Sequence, residues 1–307
     1  MDFDVVILGS GPAGLQAAVH AARTKAKVAV LGKLQRSSLY KAHIENYCCM
    51  NAAVSGEEIL VEGRNQAEKF GAKMIDHDVL AIDRTEDDRF RIKVESGDIL
   101  FAGSIILAMG VSRNKLNVPG EKEFLGKGVS YCVECDANFF RNQVVAVVGD
   151  GSAAASGALT LLLFAREIHL ICKDLDVSDH LRHQVESSSI ELHSGRSVKK
   201  ILGNREVESV LLDNGDTIAV NGIFIELGAK GAVELASRLD VALDTETMRY
   251  IIVNKKQETN VPGLYAAGDI CGPPWQMAKA VGEGCVAGLE ASLHSREAAK
   301  RAKAGQV

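Results

Sequence analysis

The sequence has no apolar run approaching the roughly 20 residues that a membrane-spanning helix needs. It also lacks any cluster of lysine and arginine dense enough to form an electrostatic footprint for nucleic acid, and its formal net charge is −5. Neither a membrane nor a nucleic acid is therefore expected as a partner. The opening Met1-Asp2-Phe3-Asp4-Val5 is acidic and passes straight into an apolar run, so no secretory leader is expected and the expected compartment is the cytosol. An even cysteine framework is missing as well. Seven cysteines stand at 48, 49, 132, 135, 172, 271 and 285, in a chain of which 47% is hydrophobic. A disulfide-stapled secreted scaffold does not suit a core that large. Only one pair has C-x-x-C spacing, and the eight histidines show no ligand spacing, so no metal site is expected.

What the sequence does have is length for two ordinary domains and one Gly-rich turn used twice. Asp4-Val-Val-Ile-Leu8 reads as a buried parallel strand. Gly9-Ser-Gly11-Pro12-Ala13-Gly14 follows, then an Ala-rich helix from Leu15 to Thr24 and a strand at Lys27 to Leu31. This is a βαβ unit whose glycines let backbone amides approach a pyrophosphate at a helix N-terminus. The second copy begins at Val144 to Val148. It continues through Gly149-Asp-Gly151-Ser152-Ala153-Ala154, a helix to about Ala165 and a strand at Ile168 to Ile171. Between the copies, Arg89 to Val94 and Ile99 to Ala102 read as a hairpin, and Ser104 to Ala108 as a further strand. Val207 to Leu212 and Thr217 to Val220 flank the turn at Asp213 to Asp216, and Ile223 to Leu227 is the next strand. Gly263 to Asp269 returns to a strand before a helix that ends near Arg296, leaving a frayed tail.

Cys132-Val-Glu-Cys135-Asp136 precedes the second Gly turn. Spacing of i, i+3 in a helical turn brings both sulfurs to one face, within disulfide reach. Closing so short a loop removes little unfolded-state entropy, so a redox role explains the pair better than stabilisation does. One feature of the first βαβ unit is absent. Its second strand ends at Leu31-Gly32-Lys33, without the acidic residue that would hold a ribose.

In Thr259-Asn-Val-Pro-Gly-Leu-Tyr-Ala-Ala-Gly268-Asp269, Gly268 admits close backbone approach and Asp269 can accept a hydrogen bond from a polyol hydroxyl. With this run, Ser104 to Gly110, the redox segment Gly128 to Phe140, Gln276 and Gly282 to Cys285, nearly the whole chain resembles the low-molecular-weight thioredoxin reductases. The resemblance implies an α/β fold of two Rossmann-like, three-layer ββα dinucleotide-binding domains, the second inserted in the first. Residues 1–114 and 246–307 would form the FAD domain, and 115–245 the inserted pyridine-nucleotide-type domain with the C-x-x-C. It implies a homodimeric FAD enzyme that reduces a thioredoxin-like protein. Gly9, Gly11, Pro12, Ala13 and Gly14 would hold the pyrophosphate, with Ala108 and Gly110 beside them. Gly268 and Asp269 would take the ribityl chain, and Asn46, Gln276, Met277 and Ala278 would face the flavin ring. Cys135 would meet the flavin and Cys132 the partner disulfide. Asp136 would move protons, a place that also suits a helix-capping carboxylate.

The departures from the family cluster in one module. Its histidine-arginine-arginine run for the NADPH 2′-phosphate is replaced by Cys172-Lys173-Asp174-Leu175-Asp176, one ammonium among carboxylates. Its proline-asparagine-threonine run after Gly228 is also missing. NADPH is therefore not the expected donor; a ferredoxin, a deazaflavin or another carrier remains open. Gly149, Gly151, Ser152 and Ala153 would form a second dinucleotide site, for which a second FAD is the specific expectation. Cys48 and Cys49 replace the family's tryptophan-proline-glycine and are expected as packed thiols. Cys172, Cys271 and Cys285 are expected in the core. Trp275, after Pro273-Pro274, is either a cover for a flavin ring or part of a rigid loop.

Overall fold

Residues 1–48, 50–111 and 115–304 are described by a computed structural model of the chain. They fall into two compact units. The first comprises Met1–Val94, Asp98–Val111 and Gly231–Val307, the second Glu95–Gly97 and Ser112–Lys230.

In the first unit the opening apolar run forms the strand Asp2–Leu8, fully buried from Val5 onward. It pairs in parallel with Val28–Leu31 on one side and Ile99–Leu107 on the other. Lys73–Ile75 and Leu264–Ala266 extend the parallel sheet, and Phe90–Val94 with Val79–Arg84 add an antiparallel pair. Side chains alternate between the faces. Val6 and Leu8 join Phe90, Ile92 and Ile105 in one core, while Val5 and Ile7 meet Ala17, Ala18 and Ala21 of the helix Pro12–Arg23 in the other. Burial on both faces explains why these strands read as unbroken β-branched runs.

Two expectations change here. Ile99 to Ala102 and Ser104 to Ala108 are one strand, Ile99–Leu107. Gly103 does not break it; a Cβ there would come within 3.0 Å of Ser295 Oγ, so the glycine makes room for a neighbouring side chain. The last helix, Met277–Ala304, continues well past Arg296, with an Arg301–Glu297 ion pair on its final turns. It crosses the helix Pro12–Arg23 at two glycines one turn apart. A Cβ at Gly284 would lie 2.1 Å from the Ala13 carbonyl oxygen, and one at Gly288 would lie 2.4 Å from that of Ala17. A helix not anticipated, Gly56–Lys69, starts at a capping box: Glu58 N–H donates to Ser55 Oγ and Ser55 N–H donates back to the Glu58 carboxylate.

The second unit repeats the plan. Val144–Val148 pairs in parallel with Glu167–Cys172 and Gly222–Ile225, with Glu191–Ser194 and Val129–Ser130 at the edges. A three-stranded antiparallel sheet, Val198–Gly203, Val207–Leu212 and Thr217–Ala219, shares a core with Ile223 and Ile225. The helix Ser152–Leu161 ends before Ala165, its chain tightening as the Leu163 and Phe164 amides donate three residues back, to Thr160 and Leu161. The chain re-enters the first unit at Gly231, ahead of residue 246, because Ala232, Leu235, Ala236 and Leu239 are buried in that unit's core. Among the described residues no helix is long and apolar enough to cross a membrane.

Candidate active site

In the first unit the C-terminal ends of three parallel strands converge, the place where open α/β sheets bind ligands. Gly9 follows the first strand with φ +110°, and a Cβ on it would lie 2.3 Å from the Ala108 carbonyl oxygen. A Cβ on Gly14 would sit 1.8 Å from the Gly9 carbonyl oxygen. Gly11 is the N-cap of the helix Pro12–Arg23, with Pro12 in its first turn and no side chain capping it. That leaves a helix N-terminus suited to an anion. Gly110, after Ala108, has φ +65°.

Gly268, with φ +88°, ends the third of these strands, and a Cβ on it would come within 3.0 Å of Ala13 Cβ. Its peptide is gripped from both sides by a pair that sequence reading missed. Gly268 N–H donates to Glu283 (2.8 Å), and Lys279 Nζ donates both to the Gly268 carbonyl (2.9 Å) and to Glu283 (2.9 Å). The i, i+4 spacing of Lys279 and Glu283 on a helix was the available signal. Burial pushes the Asp269 carboxyl up from its ordinary range; Lys279 opposes the shift and Glu283 adds to it. Asn46 Nδ2 donates to Gln276 Oε1 at 3.2 Å, bringing together two residues far apart in sequence. Pro12, Tyr47 and Met277 line a groove of about 640 Å³. Ala278 lies beside Met277 in the first turn of the last helix. Trp275 is 57% exposed, and Cys48 is exposed rather than packed. Cys49 lies outside the described residues. Cys172 is buried, whereas Cys271 and Cys285 are only partly so.

In the second unit Cys132 and Cys135 form a disulfide with Cα atoms 5.3 Å apart. Cys132 caps the short helix Val133–Asp136, and its sulfur accepts the Cys135 N–H. Cys135 is exposed and Cys132 half-buried. Ser130, not anticipated, orders the turn: its hydroxyl donates to Asp136 Oδ2 at 2.6 Å and accepts from the Cys132 N–H. Two further groups anchor it. Val133 N–H donates to the buried Glu226 carboxylate, and the buried Lys230 ammonium bonds Glu134 at 2.7 Å. Phe139, three residues past the helix, is 76% exposed.

The second Gly turn has the required shape, with Gly149 at φ +153° and Gly151 as helix N-cap. Its N-terminal amides are partly spoken for. Ala153 N–H donates to the chain's own Gly228 carbonyl (3.1 Å), whose oxygen would lie 2.5 Å from a Cβ on Gly151. Ser152 is fully buried. Asp150 accepts the Lys173 N–H. Burial pushes the Cys172 thiol up to about 11, with Asp150 and Asp174 adding to the shift and Arg182 opposing it.

This is the architecture of a two-domain dinucleotide-binding oxidoreductase with a redox-active dithiol. The pattern of the pyridine nucleotide-disulphide oxidoreductase family matches residues 3–284. The thioredoxin reductase of Aquifex aeolicus is 33% identical, over 94% of this chain and 91% of that protein. The chain spans 65% of the length of the bifunctional thioredoxin reductase/thioredoxin of Mycobacterium leprae, also at 33% identity over 94% of this chain. Among solved structures, the atypical thioredoxin reductase TRi from Desulfovibrio vulgaris Hildenborough superposes with a TM-score of 0.82 at 33% identity, covering 96% of this chain and 98% of that one. A ferredoxin-flavin thioredoxin reductase from Clostridium acetobutylicum gives 0.66 at 32%, covering 95% and 97%. The chain belongs to the pyridine nucleotide-disulphide oxidoreductases and, within them, to the low-molecular-weight thioredoxin reductases, a class of FAD-dependent disulfide oxidoreductases.

Proposed function

We propose that the protein passes electrons from FAD to the Cys132–Cys135 disulfide and on to a thioredoxin-like protein, using a donor other than NADPH. The glycine cradle fits the flavin nucleotide. Any side chain at Gly9 or Gly14 would collide with backbone, and the open helix N-terminus beside them suits a pyrophosphate. Gly9, Gly11, Pro12, Ala13 and Gly14 would hold it, flanked by Ala108 and Gly110. Gly268 and Asp269 would hold the ribityl chain, and Asn46, Gln276, Met277 and Ala278 the ring. FAD, when bound, supplies a two-electron carrier. Two electrons and two protons open the Cys132–Cys135 bond to a dithiol. The Cys132 thiolate then attacks the partner disulfide, one partner sulfur leaves as a thiol, and Cys135 displaces the other to restore the bond. Asp136, fixed by Ser130, takes up and returns the proton. The exposed Phe139 supports a protein partner rather than a small thiol, because it offers apolar area beside the dithiol.

The observation that carries the donor reading is the state of the second Gly turn. Gly228 occupies a helix amide there, Lys230 is committed to Glu134, and Lys173 gives its N–H to the Asp150 carboxylate and is followed by Asp174. Losing two charge-assisted bonds, each worth about 1.5–3 kcal/mol, costs on the order of 10²-fold or more in affinity for the 2′-phosphate. The engaged Ala153 amide also weighs against a second FAD, so one flavin per chain is the reading adopted. Likeness to the ferredoxin-flavin enzyme favours a reduced ferredoxin as donor. Thiols outside any disulfide at Cys172, Cys271 and Cys285 suit the cytosol.

Anaerobic titration with NADPH, NADH and reduced ferredoxin, following flavin absorbance and thioredoxin-disulfide reduction, tests this. Ferredoxin should bleach the flavin and sustain turnover, while sub-millimolar NADPH should do neither. Rapid reduction by NADPH coupled to disulfide turnover overturns the donor reading. Flavin reduction without turnover makes the protein a redox sensor instead.

A further inference from the structure

Four side chains unused by the redox chemistry meet where Glu167–Cys172 runs parallel to the edge strand Glu191–Ser194. The register sets His169 opposite Glu191, and Ile171 opposite His193. His169 Nδ1 lies 3.1 Å from His193 Nε2 and 3.3 Å from one Glu191 oxygen, and the other Glu191 oxygen lies 3.5 Å from His193 Nε2. A tetrahedral metal with bonds of about 2.0–2.1 Å holds its ligand atoms about 3.3–3.4 Å apart. The His169–His193 and His169–Glu191 separations lie near that edge length, while the Glu191–His193 separation runs to the other carboxylate oxygen, and a metal would take one of the two.

The fourth side chain has the place of an outer-shell partner. His169 Nε2 lies 3.2 Å from Glu167 Oε1. A ligating imidazole commonly gives its second N–H to such a carboxylate, which fixes the tautomer that leaves the other nitrogen free to bind. With the Nε2 proton directed to Glu167, Nδ1 of His169 is an acceptor. It faces both a Glu191 oxygen and His193, whose ring offers one proton at most while neutral. The cluster is thus short of positive charge at the point its donor atoms share. His169 is buried, His193 half-buried and Glu191 exposed, so one side of that point is open to water.

We propose that His169, Glu191 and His193 form a binding site for a transition-metal dication, Zn²⁺ foremost, with a fourth position open to water. Imidazole and carboxylate donors in this number select Zn²⁺ and its neighbours over Mg²⁺ and Ca²⁺, which take oxygen-rich shells. Because the ligands come from two adjacent strands, bound metal would clip the edge strand to the sheet and raise the melting temperature. Sequence spacing concealed the site, since parallel register, not local periodicity, joins the residues.

Zn²⁺ is titrated into the folded protein with its dithiol oxidised and its accessible thiols alkylated, in competition with a chromogenic chelator. The expected result is one Zn²⁺ per chain with two imidazoles in the X-ray absorption spectrum. His193→Gln and Glu191→Gln, on the accessible side, should each lose at least about tenfold in affinity, and Glu167→Gln about 10- to 100-fold. Wild-type binding no tighter than that of His193→Gln overturns the site, as does a spectrum without imidazole. The absorption spectrum needs no variant, so a misfolded substitution cannot rescue or sink the proposal.

Discussion

At the scale of single residues, the redox turn is a small network. Cys132 caps its own helix, Ser130 holds both the Cys132 amide and the Asp136 carboxylate, and Cys135 is left exposed. Replacing either Cys132 or Cys135 by Ser should abolish reduction of a protein disulfide while the FAD content stays at the wild-type level. Full reductase activity in either variant would remove the dithiol from the mechanism. Asp136→Asn should slow thiol–disulfide turnover by about 10²–10⁴-fold, the range for a positioned proton-transfer group. A rate unchanged between pH 6 and 9 would reduce Asp136 to a structural partner of Ser130.

Among the elements, the crossing of Pro12–Arg23 with the C-terminal helix depends on glycine. Gly288→Ala drives a methyl against the Ala17 carbonyl and should cost about 1–3 kcal/mol, read from the urea midpoint. An unchanged midpoint would mean that the helices can separate freely. The loop 244–250 is organised around one carboxylate. Asp244 accepts the N–H groups of Tyr250, Thr247 and Arg249, and these bonds, Tyr250 first, pull it far below the usual carboxylate range. Because the folded-state value is depressed, its stabilisation is complete above the ordinary aspartate value and fades as pH falls through the folded one. The stability gap between wild type and Asp244→Asn should therefore narrow on acidification, and urea midpoints from pH 7 downward measure it. Legibility from sequence followed the same physics. The Gly turns, the buried parallel strands and the thiol pair were readable because each depends on local composition. Glu226, Lys230 and the hold of Lys279 and Glu283 on the Gly268 peptide were not, because tertiary contact alone gives those side chains these partners. The helix Gly56–Lys69 could have been read from Ser55 and Glu58, the cap that begins it.

For the whole molecule, the resemblance implies a homodimer. Val61, Leu289 and Leu293 stay exposed on helices of the first unit, apolar area that a second copy would cover. Sedimentation at twice 32.8 kDa is expected, and a lone 32.8 kDa species at micromolar concentration would contradict it. The discontinuity of the first unit also sets an order of events during synthesis. The second unit, dithiol included, is fully encoded by Lys230, whereas the first still lacks Leu264–Ala266 and the long C-terminal helix. On a ribosome that releases the chain from its N-terminus, the opening strand must wait for residues made well after the second unit, among them Ser295, which bonds the Asp4 carbonyl. The thiol-bearing unit can therefore be complete before any flavin has a place to bind, so a chain cut short between Lys230 and Leu264 would keep that unit and forfeit the cofactor.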